Sequence, residues 1–130
     1  MTTKDLLETC RESMLELRQM EDQLRWLGND GRPAGIHAVQ SDCIAGTNHP
    51  AAAAWQVADG LADRIARKRD ELAPLVEQAL ERIKQISSLR IYVILHHYYL
   101  MAETDEHIGW LLSLSRTRVT QLRLRHVKAL

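Results

Sequence analysis

At 130 residues the chain suits one compact domain or a small domain with a helical arm, and its 45% hydrophobic content is sufficient for a core. Its 17 basic and 17 acidic residues cancel, so the global charge hides any polarity along the chain, and its most apolar run, residues 91–95, is far too short to span a bilayer. Helix formers dominate and runs of alternating β-branched residues are absent, which predicts an all-α protein.

Other classes find little support. Residues 1–17 are charged throughout, so no secretory signal is expected. Cys10 and Cys43 share no metal or redox spacing and read as two reduced thiols of a cytoplasmic protein. There is no glycine-rich phosphate loop, nucleophile elbow or helical histidine pair with zinc-site spacing, so neither enzyme chemistry nor a cofactor is expected.

The first helix is predicted over residues 3–27. Leu7, Cys10, Met14, Leu17 and Leu24 recur at steps of three and four with only Glu21 interrupting, which makes one apolar stripe on a charged helix. Such a stripe must be covered, by a partner helix of the same chain or by a second copy in a short coiled coil. Residues 28–35, GNDGRPAG, end the helix, because glycine supplies positive φ, proline lacks a donor, and Asn and Asp favour turns. Residues 36–49 show no period and read as a loop. Its His37, Asp42, Cys43 and His49 match no metal-ligand spacing and read as loop polar groups, so no metal is expected.

A second helix is predicted from Pro50, with Asn48 as its cap and Trp55, Ala58, Leu61, Ala62 and Ile65 as its inner stripe. Arg64, Arg67, Lys68 and Arg69 interleave with Asp63, Asp70 and Glu71, the pattern of a solvated, paired surface. Pro74 marks a joint, starting a third helix or kinking one long one. It divides the chain into a helical hairpin or arm, 1–73, and a part, 74–130, that carries a long helix and the last helical pair. Leu75, Val76, Ala79, Leu80, Ile83, Ile86, Leu89, Val93 and Ile94 are expected to continue one stripe to about residue 100. Tyr98, Tyr99 and Trp110 are expected to line the inner wall beyond it, with His96 and His97 at the edge of the core or on the surface.

The end of the chain is the most informative part. Two short helices fit residues 105–112 and 116–129, with Ser113, Leu114 and Ser115 as a tight turn, which is helix-turn-helix spacing. Ile108, Leu112, Leu114, Val119 and Leu122 can close a small core, and Gly109 sits where the helices approach most closely. Thr104 and Ser115 stand as N-caps, and Asp105 and Glu106 fall in the first turn where the helix dipole favours negative charge. From Arg116 onward there are five cations (Arg116, Arg118, Arg123, Arg125, Lys128) and no carboxylate, leaving 12 basic against 17 acidic residues before it. With Val119 and Leu122 inward, about 100° per residue points Arg116, Thr117, Thr120, Gln121 and Leu124 outward as candidate base readers. Arginine can fork onto guanine, glutamine onto adenine, and threonine or leucine methyls can touch thymine. Arg118, Arg123, Arg125 and Lys128 would meet phosphate, and Ser115 caps the helix at the same surface. A charge run alone is more often a solvated helix face; the turn, the caps, the glycine and the change of charge sign favour double-stranded DNA.

Residues 86–130 resemble region 4 of sigma-70-type factors, through Leu89, Ile94, Leu95, Tyr98, Tyr99, Ile108, Gly109, Trp110, Leu112, Leu114, Ser115, Val119 and the closing HVKAL. They are most similar to small phage-encoded, sigma-region-4-like transcriptional regulators. That family usually has a glycine near the position of Ala102, and its tryptophan often precedes the first inward hydrophobic, where Trp110 follows Ile108. The resemblance implies a promoter-binding regulator working with RNA polymerase in a bacterial host cell. A terminase small subunit, an antitermination factor and a protein-interaction adaptor without DNA binding are the alternatives, and a homodimer would suit two half-sites.

Overall fold

The computed structural model describes residues 2–28 and 50–130. Among these the protein is all-helical. Helix α1 spans Thr3–Gly28, α2 Pro50–Ile83 and α3 Leu89–Leu95, which widens without a break into a π-helical turn, His96–Leu100. Helices α4, Asp105–Leu112, and α5, Arg116–Lys128, follow. The segment holding His37, Asp42, Cys43, His49 and the proposed cap Asn48 lies outside the described residues, as does the side chain of Trp55. No described helix is long and apolar enough to cross a membrane.

The chain forms two compact units. One is Glu16–Arg69, the second part of α1 with the first part of α2. Leu17, Leu61 and Ile65 are buried there, as the two apolar stripes predict, whereas Ala62, placed on the same stripe, is exposed because it lies about 100° around the helix from Leu61. Two ion pairs between the helices flank them: Lys68 Nζ lies 2.9 Å from Glu16 Oε2, and Arg69 Nη2 lies 2.9 Å from Glu21 Oε1. Lys68 and Arg69 of the basic cluster on α2 therefore answer carboxylates of α1. Such exposed pairs are each worth about 1 kcal/mol or less.

The other unit joins the start of α1, up to Leu15, to Asp70–Leu130. Its core draws on every helix: Leu6, Leu7 and Cys10 from α1, Ala79 and Ile83 from α2, Ile91, Ile94 and Leu95 from α3, and Ile108, Val119, Leu122 and Val127 from the last pair. Cys10 is fully buried, and burial pushes its thiol pKa up. Leu6 adds a second buried position beside Leu7 that the single-stripe reading of α1 omits.

Two expectations need correction here. The stripe from Leu75 does not run on one helix to residue 100. Helix α2 passes through Pro74 and ends at Ile83, and α3 starts afresh after Ser88, whose hydroxyl accepts from the Ile91 amide at 3.4 Å. Leu89, in the first turn of α3, is consequently 76% exposed instead of inward. Trp110 is not part of the inner wall either. It is 78% exposed, because Ile108 and Leu112 already occupy the inward face of α4 and a residue two beyond Ile108 lies about 200° around the helix.

Candidate nucleic-acid interface

The last two helices are built by local chemistry the sequence declares. Thr104 and Ser115 take extended backbone and accept from the amides of His107 and Arg118, each at 3.1 Å, so both helices start where their caps stand. Between them Ser113 adopts the left-handed conformation, φ 57°, and the Leu114 amide reaches back to the Gly109 carbonyl at 2.8 Å. That bond, with Leu114 packed on the core, is a Schellman-type ending.

Gly109 has a steric role at this turn. A β-carbon there would lie 2.5 Å from the Leu114 carbonyl oxygen and 3.5 Å from the Arg116 amide nitrogen. The turn backbone folds directly against the α4 glycine, and any side chain would push the start of α5 away. Ile108 and Val119, both fully buried, and Leu122 then lock the pair. The result is a helix-turn-helix whose second helix, α5, projects one long face to solvent.

That face is clear residue by residue. Arg116, Thr117, Arg118, Gln121, Arg125 and Lys128 are exposed, and Leu124 is half exposed. Thr117, Gln121, Leu124 and Lys128 run along its centre, with Arg118 and Arg125 on one flank and Arg116 at its start. Ser115 serves as cap. Lys128 lies nearer the centre than the flanking phosphate position assigned to it from sequence.

Two predicted contact residues are engaged elsewhere. Arg123 is 8% exposed and faces inward; its Nε donates to Asp105 Oδ1 at 3.1 Å and its Nη2 to Oδ2 at 2.8 Å. The phosphate role assigned to it is corrected, for a guanidinium forked onto a carboxylate inside the fold is not free for a phosphate. Thr120 is half-buried, and its hydroxyl lies 2.7 Å from Asp105 Oδ2 as donor, which removes it from the centre of the exposed face.

Burial by itself would raise the Asp105 pKa. Hydrogen bonds from Arg123 and Thr120, with the Arg123 charge, outweigh burial and hold the carboxyl below its usual range. Burial likewise opposes the charge on Arg123, and its bonds to Asp105 and Tyr99 outweigh that, so the guanidinium stays protonated. The pair has both side chains about nine-tenths buried, at 10% and 13% exposure.

The pair belongs to a larger cluster invisible to periodicity. The Arg123 guanidinium lies 3.7 Å from the centre of the Tyr98 ring, and that of Arg11 lies 3.7 Å from the same centre. Arg11 Nη1 also donates to the main-chain carbonyls of Tyr98 and, at 2.9 Å, of Glu103. These carbonyls flank Ala102, whose φ of 54° turns the chain from the π-helical segment into α4. One signal for Arg123 was available: it sits between Val119 and Val127 at steps of four, on the inward stripe. Nothing in the sequence ties Arg11 to Tyr98.

His96 and His97 are half-buried, as expected at a core edge, and burial followed by the neighbouring His97 lowers the His96 pKa. No group of metal-ligating side chains gathers among the described residues. Comparison with protein-family models, with curated proteins and with solved structures gave no match.

Proposed function

We propose that this protein is a sequence-specific, double-stranded DNA-binding regulator that reads the major groove with α5, and that it is not an enzyme. The observation that carries the reading is the exposed face of α5. Thr117, Gln121 and Leu124 form a strip able to meet base edges, Arg116, Arg118, Arg125 and Lys128 surround it, and α5 has no carboxylate. A solvated helix would need none of the turn geometry that presents this face. The sigma-region-4-like pattern of residues 86–130 supports action at a promoter beside RNA polymerase, with the helical arm as the surface offered to polymerase or to a second copy.

The test is selection of bound fragments from randomised duplex DNA at two salt concentrations, repeated with the Arg116→Ala, Gln121→Ala double variant. A recurrent motif that the variant no longer enriches is the expected result. Enrichment of nothing by the wild-type chain, even at low salt, would overturn the reading in favour of a protein-interaction adaptor.

A further inference from the structure

The Tyr98 ring meets two guanidiniums. Arg11, from the start of α1, and Arg123, from α5, each lie over the ring at 3.7 Å from its centre. Arg123 is in turn forked onto Asp105 at the start of α4, and Asp105 takes the Thr120 hydroxyl one turn back on α5. Arg11 is anchored independently by its bonds to the carbonyls of Tyr98 and Glu103. The chain of contacts thus starts on α1, passes through the turn that launches α4, and ends on the helix that carries the reading face. No member of it lies at the centre of that face.

We infer that Arg11, Tyr98, Arg123 and Asp105 form a clamp through which α1 sets the angle of α5, and that they are positioning residues for base reading, not contacts to DNA. The inference rests on the DNA reading above. Its physical basis is geometric. Val119 and Leu122 hold α5 down by apolar contact, which is non-directional. A planar guanidinium held against a ring and also forked onto a carboxylate accepts only a narrow range of helix rotations. Base readout demands such a fixed rotation, since a displaced side chain misses the donor and acceptor pattern of the groove. Phosphate attraction tolerates far more movement, being carried by charge.

Substitution by lysine separates the two roles. Lysine keeps the charge that a phosphate contact requires, but it can neither stack flat on Tyr98 nor fork onto Asp105. The experiment measures the affinity of the full chain for the selected duplex and for an unrelated duplex of equal length, each across a salt series. The variants are Arg123→Lys, Arg11→Lys, Tyr98→Leu and Tyr98→Phe, with helicity checked by circular dichroism. The clamp predicts that the ratio of the two affinities falls roughly tenfold or more in Arg123→Lys, Arg11→Lys and Tyr98→Leu, the scale of one lost base contact. Binding to the unrelated duplex and its salt slope should stay at the wild-type value. Tyr98→Phe, which keeps the ring that both guanidiniums meet, should retain full discrimination.

Folded lysine variants that discriminate as well as the wild type would overturn the clamp while leaving the DNA reading intact. An equal loss on both duplexes would also overturn it, since residues that only set the angle for base reading leave binding to the unrelated duplex unchanged. A wild-type chain that prefers neither duplex would sink the DNA reading itself, and the positioning role with it. Should Tyr98→Leu fail to fold, Arg11→Lys, at a half-buried site on α1, carries the same comparison.

Discussion

At the scale of single residues, the tightest constraints are steric and they fall at the two turns. Replacing Gly109 by alanine would set a methyl against the Leu114 carbonyl, which is backbone and cannot swing aside. The expected cost is about 1–3 kcal/mol, the range for overpacked sites, read as a lower urea midpoint. Ala102 is the opposite case. Its left-handed φ costs an L residue about 1–2 kcal/mol, but glycine would gain freedom in the unfolded chain and give up a buried methyl worth about 0.8 kcal/mol, so Ala102→Gly should leave stability within about 0.5 kcal/mol of wild type in the same urea measurement. The Asp105 carboxyl has a lowered pKa in the fold. Its contribution to stability is therefore complete above the unfolded carboxylate range, near 3.9, and is lost as pH falls through the lowered folded value. Asp105→Ala removes that pH dependence and leaves Arg123 buried without its partner, at a cost of about 3–5 kcal/mol in the same urea measurement.

At the scale of elements, the last two helices were the most legible because caps and turn chemistry act locally. Thr104, Ser115, Gly109 and the small Ser113 each report on their own few residues, and the helix bounds follow from them. The break between α2 and α3 was illegible for the opposite reason. Residues 84–88 hold no proline or glycine, and the apolar period runs across them through Ile86 to Leu89, so periodicity alone implies continuity. Only Ser88, three residues before Ile91, marks the new start. The face of α5 was legible apart from Arg123 and Thr120, both turned to Asp105, and the more central Lys128; counting arginines by charge placed Arg123 outside whereas counting steps from Val119 places it inside. The two kinds of arginine should separate in experiment. Replacing Arg118 or Arg125 by alanine should leave stability unchanged within about 0.5 kcal/mol and make the salt dependence of DNA binding shallower by about one phosphate contact each. Arg123→Ala should instead destabilise the fold, so an unfolding curve beside a salt titration tells them apart.

At the scale of the whole molecule, the unit that carries the candidate interface is not contiguous in sequence. Its core includes Leu6, Leu7 and Cys10, all essentially fully buried, from a helix that ends before residue 29. No local signal could reveal this, because the α1 stripe states only that something covers it, and the covering residues stand some seventy positions away in the chain, at Ala79, Ile83 and Ile94. The consequence is that the start of α1, up to Leu15, is part of the unit that carries α5, not an appendage to it. Cys10 offers a direct probe in a Cys43→Ser background, where it is the one thiol left. Burial both shields it and raises its pKa, so a thiol reagent reaches it when α1 leaves the core. If α1 and the last helices open together, the free energy of opening from Cys10 labelling should equal that from hydrogen exchange at the Ile94 and Leu122 amides, with the same urea dependence. Labelling at a much lower free energy than those amides would mean that α1 detaches while the helix-turn-helix stays folded, and the Arg11 side of the Tyr98 clamp could then hold α5 only part of the time.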